Sequence, residues 1–131
     1  MYCATSESLA LLELRVHSPH PYPRTRWRFA IGVPDDALTS VAVDELPRGW
    51  DKFPAGLTIK RFDDAWVAAS SNLGLLVPSV VATEEKNLML NPLHPRFQEV
   101  RVLSKQRVVL DKRLYSFPAK RRSSAQKRKK Q

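Results

Sequence analysis

A chain of 131 residues has room for one domain and one core. With 43% apolar and 27% charged residues it reads as globular, not disordered or fibrous. The formal charge is +9, but residues 118–131 carry +7 of it without a single acid, so the body is nearly balanced and a nucleic-acid surface along the whole chain is excluded.

The first element begins at once. Tyr2-Cys3-Ala4 reads as the end of a strand, and Thr5 or Ser6 is a natural helix N-cap. Ser6 to His17 is rich in Leu and Ala with no breaker inside, which predicts a helix. Pro19, Pro21 and Pro23 then impose an extended loop. Trp27, Phe29, Ile31 and Val33 alternate with Arg28, Ala30 and Gly32, the period of a half-buried strand. Pro34-Asp35-Asp36 is turn chemistry.

Leu57 to Asn72 predicts a second helix, with Leu57, Phe62, Ala65, Trp66 and Ala69 along one face. Leu75 to Val81 reads as a buried strand and Leu88–Leu90 as a short one. Asn91-Pro92-Leu93-His94-Pro95 is a rigid turn, and Val100–Leu103 and Val108–Leu110 form a two-strand pattern. Short strands mixed with two helices, without regular βαβ alternation, predict an α+β domain over residues 1–117. Residues 118–131 are too polar and too basic to join a core and are expected to be a disordered tail.

Cys3 is the single cysteine, which rules out an internal disulfide and fits a reducing, cytoplasmic setting. Without a Cys-His arrangement around it, Cys3 reads as a small apolar side chain, not a nucleophile. No run approaches the roughly twenty apolar residues that span a bilayer, and the N-terminus has no basic region typical of a signal peptide.

Glu13 is the most informative residue. At about 100° per residue it lies between Leu9 and His17, on the helix side that carries Leu12 and Val16. A carboxylate there needs a partner. One reading is a salt bridge with an arginine or with His17 one turn later. The other is a cleft in which Glu13 stabilises positive charge developing on a substrate. Tyr2 reads as amphipathic packing at a strand end, and Ser79, after Pro78, as a satisfied core hydroxyl. Asn87, Asn91 and His94 read as loop-shaping residues bonded to nearby backbone. No second histidine or carboxylate stands at metal-ligand spacing, so no metal is expected.

Taken together, the residues resemble a family. The order Tyr-x-Ala-x-Ser-x-Ser-Leu-Ala-Leu-Leu-Glu-x-x-Val-His from Tyr2 to His17 is similar to the N-terminal half of the RES domain. So are Leu46-Pro47-Arg48-Gly49-Trp50, Asp64-Ala65-Trp66 and Val77-Pro78-Ser79-Val80-Val81. Glu84 to Pro95 and Leu110-Asp111-Lys112-Arg113-Leu114 continue the series, so the likeness covers residues 2–115. Each piece is weak alone; in order and at fitting spacing they are specific. Asp63 departs from the pattern, where the family often has glycine.

The resemblance implies a single RES domain with an ADP-ribosyltransferase-like fold. It implies cleavage of NAD⁺, as substrate, at the nicotinamide–ribose bond, by phosphorolysis or hydrolysis, with inorganic phosphate then a co-substrate. It also implies a toxin neutralised by an Xre-type antitoxin carrying a helix-turn-helix. Glu13 matches the family's glutamate and Ser79 its serine, both with catalytic roles, and Tyr2 matches a tyrosine of the nucleotide pocket. The family's arginine belongs to a segment ahead of the strand that ends at Tyr2. Arg15, Arg24, Arg26 and Arg28 all follow that point, so the expectation is a domain partial at its N-terminus, lacking its first strand or strands, with impaired turnover. Two other classes stand beside this one: an inactive remnant that binds a partner, and nucleic-acid binding through the basic tail.

Overall fold

A computed structural model describes residues 1–18, 24–52 and 56–114. The proline-rich break at 19–23 and the basic tail at 118–131 lie outside the described residues. Strand β1 (Tyr2–Ala4) leads into helix α1 (Glu7–His17). Of the two candidate caps, Ser6 is the one used: its hydroxyl accepts from the Leu9 N–H, one of the donors left open at a helix start. Thr5 instead donates to the Lys86 carbonyl at 2.7 Å, fastening the turn to the neighbouring strand.

Strand β2 (Thr25–Gly32) follows, then a short strand β3 (Leu38–Ser40), helix α2 (Leu57–Ala69), and strands β4 (Gly74–Pro78), β5 (Lys86–Leu90) and β6 (Arg101–Val109). The strands form two sheets. One has the order β1-β5-β4-β3, with β3 parallel to β4 and the other pairs antiparallel. The other is the antiparallel ribbon β2-β6. Helices and strands occur in one α+β arrangement, and β3–α2–β4 is a single crossover that a parallel pair requires.

The four-stranded sheet has two faces. In β5, Asn87 and Met89 share one face with Tyr2 of β1 and Val77 of β4, while Leu88 and Leu90 share the other with Cys3. The second face joins the core around Ala37, Leu73 and Leu90, against which Cys3, Val33, Leu88, Phe97 and Val100 pack. Cys3 therefore behaves as the apolar side chain expected of it, and burial raises its thiol pKa. Helix α2 ends at Ser70 in the left-handed conformation. Asn91 holds that end, donating from Nδ2 to the Val67 carbonyl at 3.0 Å and accepting the Leu93 N–H at 3.0 Å. His94 likewise caps the turn at Pro95–Glu99 by accepting the Arg96 N–H.

Two sequence expectations change, and two features are new. Strand β4 stops at Pro78, so Ser79–Val81 form a turn and not strand. The two short strands expected near 100–103 and 108–110 are one strand, β6, because Ser104–Arg107 continue the ladder opposite Ala30–Trp27. Strand β3 was not anticipated at all. Finally, β2 turns its aromatic face outward: Trp27 is 56% exposed and Phe29 50% exposed, with the Lys105 ammonium over both rings. Arg28, on the opposite face, instead pairs with Glu7 of α1.

Candidate functional site

Helix α1 carries Glu13 toward the polar face of the main sheet. Its side chain is 13% exposed, and among the described residues three donors converge on its carboxylate. Oε1 receives the Ser79 hydroxyl at 3.0 Å and the Asn87 Nδ2 amide at 2.6 Å. Oε2 lies 3.1 Å from His17 Nε2, one helical turn on. Glu13 thus has the His17 partner of the first sequence reading, and it lies at the wall of a cleft.

That cleft encloses about 380 Å³. Tyr2 and Glu13 line it from β1 and α1, Trp50 from the loop before α2, and Phe62 and Asp63 from α2. The volume suits part of a small organic ligand, and aromatic walls beside the acidic side chains Glu13, Asp51 and Asp63 suit a flat, cationic group. A larger groove of about 890 Å³ lies on the other face of β1 and β5, bounded by α1 and β2. It is mostly apolar and does not contain Glu13.

Ser79 does not line the cleft surface; it is 1% exposed, behind Glu13. Its hydroxyl oxygen accepts the Val81 and Ala82 N–H groups, both at 3.1 Å. With its acceptor positions occupied, its proton points to Glu13. The residue therefore orients the carboxylate and has no free lone pair for a substrate. Asn87 is the residue that the sequence reading placed elsewhere, as a loop-shaping side chain. It sits in mid-strand, wholly buried, on Glu13.

Tyr2 meets the same group. Partial burial, then the nearby Glu13 charge and more weakly that of Asp63, push its phenol up to about 12, against a hydrogen bond from the Asn87 side chain that pulls it down. The Tyr2 hydroxyl is consequently a neutral donor across the physiological range. Burial and the adjacent charge of Asp64 raise the Asp63 carboxyl. The position where the sequence departs from glycine thus brings a third carboxyl to the cleft, after Glu13 and Asp51. Trp50, Phe62 and Asp63 were not assigned to a site in the sequence; the apolar face of α2 and the Gly49-Trp50 turn were the signals present.

Among the described residues, no group of three or more His, Cys, Asp or Glu side chains is placed to hold a metal ion. No helix among them is long and apolar enough to cross a membrane.

Residues 1–111 match the model of the RES domain. The chain is 37% identical over 118 residues to a Prs ADP-ribosylating toxin of Sphingobium sp. (strain YBL2), covering 87% of this chain and 73% of that protein. It is 36% identical over 99 residues to a Toxin Res of Yersinia enterocolitica, covering 75% of this chain and 65% of the toxin. A Toxin Res of Photorhabdus laumondii is 31% identical over 100 residues, 76% of this chain and 64% of the toxin. The match thus spans just under two thirds of the length of those two Res toxins.

Proposed function

This chain belongs to the RES domain family, and from that premise we propose that it is an NAD⁺-consuming toxin domain acting in the cleft of Glu13 and Tyr2. The observation that carries the reading is the Glu13 carboxylate, fixed by Ser79, Asn87 and His17 at the wall of a cleft lined by aromatic side chains.

Cleavage of the nicotinamide–ribose bond sends the bonding pair to the ring nitrogen, which neutralises the pyridinium and needs no proton. The positive charge passes to the ribose as an oxocarbenium-like centre. A carboxylate already oriented stabilises that charge as it forms, without reorganising at the moment of reaction. Tyr2 offers a ring face for the nicotinamide and a neutral hydroxyl donor. Glu13 is the catalytic residue in this account, whereas Ser79 acts through it as a positioning residue.

The acceptor completes the reaction. Phosphate gives a phosphorylated ADP-ribose and water gives ADP-ribose itself. The similarity to an ADP-ribosylating toxin favours a second reading, in which a protein side chain takes the ADP-ribosyl group. All three share the same bond cleavage at Glu13. As a toxin, the chain is expected to be held inactive in the cytoplasm by an antitoxin of the Xre type.

The test is NAD⁺ loss with purified protein, with phosphate, with water alone, and with a cell extract and labelled NAD⁺ to detect protein modification. Turnover by the native chain, abolished in Glu13→Gln, supports the reading. No NAD⁺ loss under any of these conditions, or loss that Glu13→Gln leaves intact, overturns it.

A further inference from the structure

Asn87 lies in β5, the strand between β1 and β4, with Ala4 on one side and Val77 on the other. Its side chain is 0% exposed. A buried carboxamide brings two N–H donors and one acceptor out of water, which costs stability unless they are used. Its Nδ2 reaches Glu13 Oε1 at 2.6 Å, a separation short even for a charge-assisted bond. Tyr2 is its diagonal neighbour on the same face of the sheet. Asn87 Oδ1 has no partner among the described residues.

A structural asparagine is spent differently. Asn91, a few residues on and equally buried, is engaged with the Val67 carbonyl, the Ser70 hydroxyl and the Leu93 N–H, which close the end of a helix. Asn87 serves no turn and no helix end. Its amide is directed at the cleft residue Glu13, and its carbonyl is left open.

We infer that Asn87 is a positioning residue for the reaction: it holds the Glu13 carboxylate in one fixed orientation beside Tyr2, so that both meet the ligand in register. The inference rests on the proposed NAD⁺ chemistry of the cleft. An amide is the group that can do this, because it donates to a carboxylate without carrying charge. An aspartate of the same shape would set two carboxyl groups at hydrogen-bond distance, where both do not ionise together.

Asn87→Asp is the decisive variant. The acidic limb of the turnover–pH profile is expected to move upward by about one unit or more, with kcat near neutrality falling on the order of tenfold. The KM for NAD⁺ should change little, since Glu13 acts on charge that appears in the transition state. Thermal unfolding is followed at the same pH values. A variant that loses melting temperature without moving the limb would show a purely structural side chain and overturn the inference, as would an unaltered profile.

A second measurement does not depend on turnover. The side-chain amide protons of Asn87, observed by NMR, should move upfield in Glu13→Gln, where a carboxamide replaces the carboxylate that accepts them. Resonances that stay in place overturn the inference. Absence of NAD⁺ loss by the native chain, with the resonances moving, overturns the proposed reaction and leaves the contact between Asn87 and Glu13 supported.

Discussion

Ser79 and Glu13 lie 66 residues apart in sequence, and the Ser79 hydroxyl donates to Glu13 Oε1 at 3.0 Å. The direction of that proton is set by the backbone. The N–H groups of Val81 and Ala82 both point at the serine oxygen, so the turn after β4 fills its acceptor positions. A strand end, a three-residue turn and a helix side are thereby joined at one carboxylate. Asn87 adds a donor from the adjacent strand, and His17 one from the helix itself.

Ser79→Ala should accordingly damage both structure and reaction. It leaves the Val81 and Ala82 N–H groups without their acceptor, at a cost of about 1–3 kcal/mol. It also frees Glu13 Oε1 from one of its donors, and NAD⁺ turnover is expected to fall on the order of tenfold or more. Because Ser79 bonds Glu13 from behind and does not line the cleft, the loss should appear in kcat with KM nearly constant. Steady-state kinetics with parallel thermal unfolding separate the two effects. A raised KM at unchanged kcat would show that Ser79 meets the substrate directly.

Tyr2 supplies a prediction in alkali. Its phenol is pushed up to about 12 in the folded protein, against 10.0 for the unperturbed group. Between those values the unfolded chain has released the proton and the folded chain has kept it. The contribution to stability is thus whole below pH 10 and is lost as pH rises toward 12. Tyr2→Phe has no proton to release. Its melting temperature should fall less steeply than that of the native protein over this interval, in a scan at fixed ionic strength. Parallel curves would mean that the Tyr2 hydroxyl is not held back by its surroundings.

What the sequence reveals of this site depends on the range of each interaction. Glu13 is legible because its conflict is local: a carboxylate on an apolar side of α1, with His17 one turn away. Ser79 is legible as a residue through the Pro78-Ser79 pattern, but its role is not, since the strand reading ran on to Val81 and hid the turn that orients it. Asn87 looked like a loop residue because its partner lies 74 positions away. Alternation in β2 correctly puts Trp27 and Phe29 on one face, yet period alone does not say which face meets the core; Lys105 and the Arg28–Glu7 pair decide that. Strand β3 spans three residues, too few for any period to register.

Gly74 tests how closely the main sheet is packed. A Cβ at this position would lie 2.5 Å from Leu38 Cδ2 and 2.9 Å from Leu88 Cδ1. These side chains come from β3 and β5, the strands on either side of β4, so relief on one side crowds the other. Gly74→Ala should destabilise the protein by about 1–3 kcal/mol through overpacking. Thermal or urea unfolding reads this directly. A stability equal to that of the native chain would mean that Leu38 and Leu88 repack without cost.

Asp63 gives the opposite expectation, a substitution that stabilises. It faces the cleft from α2, and its carboxyl is raised by burial and then by the charge of Asp64. An acid raised on folding favours the folded state while it keeps its proton. That contribution is present below its unfolded value and is lost as pH climbs through the folded one. The surroundings of Asp63 therefore oppose its ionised form. Asp63→Asn keeps the shape and removes the charge, so its melting temperature should exceed that of the native chain at pH 7. The difference should vanish in acid, where Asp63 is already neutral. Because Asp63 also helps to raise Tyr2, the phenol of the variant should titrate at a lower pH than in the native protein. If the charge serves to attract a cationic ring, NAD⁺ should bind the variant more weakly while uncharged nicotinamide binds both alike, a trade of function for stability. Unfolding from pH 3 to 8, ultraviolet titration of the phenol and calorimetric binding cover the three expectations. A variant less stable than the native chain at pH 7 would show that the Asp63 carboxylate is paired and not strained.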